Sequence, residues 1–100
     1  MSEVWTSGVW AVRAGTEDEF VVAWREFASW TASEYPGSHA WLLRDREHPK
    51  IFVSVGPFTG DAMIDEWRKS DGFRERIGRI REMLESFEPR TLDEVARVGS

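Results

Sequence analysis

Histidine is the side chain best suited to moving protons near neutral pH, and this chain of 100 residues has two, His39 and His48. His39 falls in an apolar stretch, SHAWLLRDR, that reads as a strand. There its imidazole is a candidate general base toward a phenol or hydroquinone. It reads equally as a hydrogen-bonded histidine at an interface, and both readings stay open. His48 sits in the polar run DREHP, expected to face solvent. Neither histidine belongs to an H-x-x-H or H-E-x-x-H pattern, so no protein-ligated metal is expected. The absence of cysteine removes disulfides, thiolate metal sites and cysteine nucleophiles. Ser38 adjoins His39, but neighbours on a strand point to opposite faces, so the two do not make a catalytic dyad. Gly56-Pro57 and Gly60 read as turn residues rather than a phosphate loop. The pairs Asp18/Glu19 and Asp93/Glu94 read as solvated charge.

Apolar surface is the richer signal. Six Trp, six Phe and one Tyr occur in the chain, and each buried ring removes roughly 150–250 Å² from water. That exceeds what a small two-layer domain needs, so some rings are expected to line a cavity or an interface. Trp67, Trp10, Phe52, Phe73 and Ile77 are the candidates for an apolar pocket between a sheet and its helices. Such a pocket suits a flat hydrophobic ligand. Taken singly, each also reads as core.

Charge narrows the partners. A net charge of −5 argues against nonspecific nucleic-acid binding. The arginines at 74, 76, 79 and 81 are interleaved with Glu75, Glu82 and Glu85. The i,i+4 pairs Glu75–Arg79 and Arg81–Glu85 mark a solvated helix face. The stretch MSEVWTSGVWAV lacks a basic leader and a long apolar core, and no run of about 18 apolar residues occurs. A cytoplasmic protein that needs no cofactor and binds no membrane is the expectation.

The elements that must position these residues follow from periodicity. Residues 4–13 read as a strand with Gly8, Trp10 and Val12 on one face and Ser7, Val9, Ala11 and Arg13 on the other. Thr16-x-x-Glu19 has the form of a capping box. It opens a helix to about Ser33, with Phe20, Trp24, Phe27 and Thr31 on its buried stripe; Tyr35-Pro36-Gly37 stops it. Residues 38–46 and 50–56 read as two strands joined by a tight loop, the second ended by Pro57. From Phe58 to Pro89 the chain reads as two helical pieces joined at Ser70-Asp71-Gly72. Thr59 is the expected cap of the first, which buries Met63, Ile64 and Trp67. Phe73, Ile77, Ile80, Leu84 and Phe87, spaced 4-3-4-3, predict that the second piece runs to Phe87. Pro89 is expected to break it before a last strand at 90–98.

The order is β-α-β-β-α-β, which predicts one α+β domain over residues 1–100. Its architecture is the ferredoxin-like βαββαβ sandwich, a four-stranded antiparallel sheet with helices on one face. Because the first three strands carry apolar residues on both faces, the second face needs a cover. The expected cover is a second copy, sheet against sheet, in a homodimer.

Pro36-Gly37 leading into AWLLRD, the strand IFVSVGPF, the run AMIDEWRKSDGF and the closing LESFEP resemble the antibiotic biosynthesis monooxygenase family. That family is a branch of the dimeric α+β barrel proteins, and the likeness spans nearly the whole chain. It implies a homodimer and, in the cofactor-free oxygenases, attack of O₂ on an aromatic or quinol-type substrate. Those oxygenases carry an Asn on the third strand, a Trp four residues later and a Tyr on the next helix. Ser54, Phe58 and Ile64 stand there in this chain. The haem-degrading branch carries W-x-x-S-D-x-F, matched by Trp67, Ser70, Asp71 and Phe73. Its ligating His falls on Ile77 and its first-strand Asn at about Gly8, and isoleucine ligates no iron. The resemblance thus leaves two readings: a monooxygenase that uses no cofactor, with His39 handling protons, or a non-catalytic dimer that binds a hydrophobic aromatic small molecule.

Overall fold

The computed structural model describes residues 4–99. Residues 1–3, part of the stretch read for a leader, and residue 100 lie outside the described residues. The chain runs β1 (Val4–Val12), α1 (Glu17–Glu34), β2 (Trp41–Arg44), β3 (Ile51–Phe58), α2 (Asp61–Lys69), α3 (Asp71–Arg81) and β4 (Leu84–Asp93). The four strands form one antiparallel sheet in the order β2-β3-β1-β4. Each helical crossover skips one strand, which is the split βαβ arrangement of the ferredoxin-like α+β fold. No described helix is long and apolar enough to cross a membrane.

Alternation along β1 works as its sequence requires. Gly8, Trp10 and Val12 are buried beneath the helices, while Ser7, Val9 and Ala11 are half-buried on the outer face. Val12 and Phe20 are fully inaccessible and Ile64 and Ile80 nearly so; each such side chain contributes roughly 1.5–3 kcal/mol of transfer free energy. Trp10, Phe20 and Phe52 form a chain of tilted rings at 5.5 and 4.9 Å across the β1–α1–β3 core.

Five local expectations are corrected. The helix predicted to reach Phe87 ends at Arg81, and Leu84 to Asp93 is strand. The cause is a β-bulge. Val12 pairs with Leu84 but Ala11 with Ser86, leaving Glu85 as an extra residue. Leu84 and Phe87, three residues apart, thereby both turn inward toward Val12 and Trp10, so a strand counterfeits helical spacing. Pro89 lies inside β4, paired with Gly8, and the predicted strand at 90–98 begins earlier and stops at Asp93. Edge strands tolerate proline because its missing donor faces no partner. Pro57 likewise sits within β3 beyond the reach of β2 rather than ending the strand.

Caps are the fourth correction. Neither Thr16 nor Thr59 caps a helix with its side chain. The Thr16 hydroxyl donates to the Arg13 carbonyl at 2.8 Å, and that of Thr59 to Met63 Sδ at 3.3 Å. Ser70 is the working cap: its Oγ accepts from the Phe73 amide at 3.2 Å and opens α3.

The strand expected at 38–46 is confined to Trp41–Arg44. Before it, residues 39 and 40 pass so close to β3 that a Cβ on Gly56 would strike the His39 carbonyl oxygen. After it, Asp45 Oδ1 accepts from the amides of Glu47 and His48 at 2.8 and 3.1 Å, which folds the loop into β3.

No helix or strand among the described residues covers the outer face of the sheet. Trp41 and Leu43 are about half exposed, at 51% and 56%, and Leu92 is 42% exposed. Register places Leu43, Val53 and Val9 in one row across three strands. Trp5 stacks on Trp41 with centroids 6.4 Å apart.

The two amide donors, Glu47 first, hold the Asp45 carboxyl below its ordinary value of 3.8. A depressed carboxylate contributes stability above its unfolded pKa and loses it as pH falls through the folded value. The Asp45 carboxyl, followed by NMR, is therefore expected to titrate with a midpoint below 3.8, and amide exchange at Glu47 and His48 to accelerate together with that titration. A midpoint at or above the ordinary value would contradict the loop geometry.

Candidate active-site cleft

Between the inner face of the sheet and the three helices lies a cleft of about 690 Å³. Its centre is aromatic. Trp67 on α2 meets Phe58 of β3 at 4.8 Å, Phe73 of α3 edge-on at 4.7 Å and Phe27 of α1 in a stacked contact at 5.6 Å. On the β1–β4 side, Trp10 and Phe87 stack at 4.0 Å. Such rings offer flat polarizable surface and few hydrogen-bonding atoms, an environment for a planar apolar ligand.

Two indole N–H groups in the wall have hydrogen-bond partners. Trp67 Nε1 donates to Thr31 Oγ1 at 2.9 Å, and that hydroxyl donates to the Phe27 carbonyl at 2.9 Å. Trp10 Nε1 donates to Ser54 Oγ, also at 2.9 Å. The two hydroxyls then differ. Thr31 spends its proton on the backbone. Ser54 accepts from the indole and has no protein acceptor among the described residues, so its proton is available to a ligand in the cleft. Ser54 is half-buried, on the inward series of β3 between Phe52 and Gly56.

Gly8 makes this pair possible. A Cβ there would sit 2.8 Å from Phe87 Cε1, 2.9 Å from Trp10 Nε1 and 3.1 Å from Ser54 Oγ. The absent side chain leaves space for the indole to reach across to the neighbouring strand.

Of the residues singled out from the sequence, Trp10, Trp67, Phe73, Ile77 and His39 line the cleft. Phe52 does not. It is buried behind the wall, packed on Phe20, with the Arg44 guanidinium 4.6 Å from its ring centroid. His39 is exposed and also borders a second, shallower depression with Trp5 and Glu94. Ile77 presents only hydrocarbon to the cleft, so a haem would find no axial ligand at that position. Among the described residues no group of three or more His, Asp or Glu could hold a metal ion. Periodicity alone did not reveal the Trp10–Ser54 pair or the place of Phe87. The visible signal was a lone serine on an otherwise apolar inward strand face, opposite a glycine.

No family model matches the chain, and no curated protein does. Solved structures do. SnoaB, a cofactor-independent oxygenase from Streptomyces nogalater, crystallised as a variant with an asparagine replaced by alanine, superposes over 100% of both chains. The TM-score is 0.90 and the identity 19%. A candidate antibiotic biosynthesis monooxygenase from Caulobacter crescentus CB15 matches with a TM-score of 0.85 and 13% identity, over 95% of this chain and 92% of the other. Protein SO0527 from Shewanella oneidensis gives 0.81 and 19%, over 93% and 91%. The chain shares the fold of these structures. At these identities the likeness is one of fold, and the chemistry has to be read from the cleft.

Replacing Gly8 with Ala is expected to push the Trp10 indole off Ser54 and cost about 1–3 kcal/mol, the usual range for overpacking. The protein should melt at a lower temperature, with a changed Trp10 indole N–H resonance by NMR. An unshifted resonance would show that the glycine is not what makes room for the bond.

Proposed function

We propose that the protein is an antibiotic biosynthesis monooxygenase-like enzyme that oxygenates an aromatic or quinol-type small molecule in this cleft without a cofactor. The observation that carries the reading is the Ser54 hydroxyl, polarised by Trp10 and free to donate, set in an aromatic wall. A substrate of the anthrone type reacts with O₂ once it is ionised: a methylene loses two hydrogens, gains one oxygen as a carbonyl, and the second oxygen leaves as water. The protein has to favour the electron-rich anion and exclude bulk solvent. Donation from Ser54 to the substrate oxygen favours the anion. His39, at the mouth, is the candidate to take the proton.

A second reading has its own support. By the resemblance, Ser54, Phe58 and Ile64 stand where the cofactor-free oxygenases carry Asn, Trp and Tyr, and Ile64 is only 2% exposed. A non-catalytic binder of a hydrophobic aromatic needs none of those groups. Oxygen uptake with a panel of anthrones and hydroquinones separates the two. Uptake is expected, falling roughly 100–1,000-fold in Ser54→Ala, on the scale of a lost oxyanion donor. Quenching of tryptophan emission without oxygen uptake would establish the binder instead.

The assembly proposed with either reading is a homodimer through the outer sheet face. Trp41, Leu43 and Leu92, exposed on that face, support it. An interface of about 800 Å² per partner is ordinary for such a pair. Sedimentation is expected to find twice the 11.6 kDa chain mass, and the double substitution Leu43→Lys with Val53→Lys should return single chains. A cooperatively melting single chain at working dilution would overturn the dimer.

A further inference from the structure

The charged side chains around the cleft all have one sign. α1 contributes Arg25, α2 Arg68, α3 Arg81 and β4 Arg90, and no aspartate or glutamate among the described residues lines it. The chain as a whole has 18 acidic residues against 13 basic ones, so an unbiased wall would hold more carboxylates than arginines. Arg90 belongs to the outer face, where its Nη2 lies 3.6 Å from Glu88 Oε2. Arg68 Nη1 donates to Thr91 Oγ1 at 2.9 Å and spans from α2 to β4 at the rim. Arg25 and Arg81 make no hydrogen bond or ion pair with the described residues. Arg25 and Arg81 are exposed and Arg68 half-buried, so this positive charge lies at the solvent-facing rim of an apolar cleft in a net-acidic molecule, where it attracts anions.

We infer that the ligand of this cleft is an anion, specifically a planar aromatic carboxylate whose ring lies among Trp67, Phe73 and Phe27 and whose carboxylate is held at the arginine-bearing rim. This rests on the cleft being the ligand site proposed above and names the class of molecule it takes. The guanidinium fork matches a carboxylate in shape as well as charge. The cleft has no glycine-rich loop to cradle a phosphate, and its walls repel a cationic aromatic. The field serves the proposed chemistry too, because the ionised form of a quinol-type ring gains from the same positive rim.

The test is calorimetric titration of the intact protein with two probes that share one ring, 2-naphthoate and 2-naphthamide. At low ionic strength the carboxylate is expected to bind roughly tenfold tighter than the amide, the size of one charge-assisted contact. That preference should shrink at about 1 M salt, where the Debye length is about 3 Å. In the double variant Arg25→Gln with Arg81→Gln the two probes should bind alike, with amide affinity unchanged. Arg79→Gln, on α3 but outside the cleft, should alter neither. Equal affinity of the two probes for the unaltered protein, or a preference that survives the double variant, overturns the inference. Failure of both probes to bind overturns it together with the reading of the cleft as a ligand site. A charge preference without oxygen uptake from any substrate leaves it standing and sinks only the oxygenase.

Discussion

The indole of Trp10 lies over a residue with no side chain and reaches a hydroxyl on the next strand, and most of the molecule is arranged around that contact. Gly8 supplies the space, Ser54 accepts the N–H, and Phe87 closes the far side by stacking. The stack in turn requires β4 to deliver Phe87 opposite Trp10, which the bulge at Glu85 accomplishes. Position and chemistry are thus joined at one point: the ring that helps fill the core also fixes a wall hydroxyl, that of Ser54, whose proton remains uncommitted.

Polar groups are used sparingly in this interior, and two of them, Thr31 and Ser54, tie different elements together. Thr31 links α1 to α2 by accepting from Trp67 while donating to its own helix, so an i−4 bond common in helices becomes an inter-helix tie. Removing the Thr31 hydroxyl would leave the buried Trp67 N–H unpaired, a cost of about 1–3 kcal/mol. Arg76 lies with its guanidinium carbon 4.5 Å from the Trp30 ring, and Trp30 covers Gly72 so closely that no side chain fits there. The joint between α2 and α3 is therefore roofed by aromatic surface from α1, which keeps Trp67 and Phe73 at a fixed angle across the cleft.

Much of this was legible in the sequence, for physical reasons that differ by element. The strand content of β1, the alternation of β3 and the Phe20–Trp24–Phe27–Thr31 stripe of α1 were readable because each turns large apolar residues toward one core, although β1 alternates only loosely, with apolar residues on both faces. The end of α3 was not. Leu84 and Phe87 continue its spacing without a break, and only pairing with β1, a long-range interaction, decides that they are strand. The cleft was half readable. Trp67, Trp10, Phe73 and Ile77 were recognisable as large apolar residues on inward faces. Phe52 has the same signature yet sits behind the wall, a matter of depth that periodicity does not encode. Ser54 and the arginines of three separate helices come together only through the crossovers.

Proline 89 has a consequence for how copies of this chain can meet. β4 is ten residues long and lies at the margin of the sheet, the kind of strand on which protein chains polymerise side by side. An imino residue near its middle interrupts the row of backbone donors that such growth would use. Lateral extension into fibres is thereby discouraged, which leaves Trp41 and Leu43 on the flat of the sheet as the exposed apolar surface.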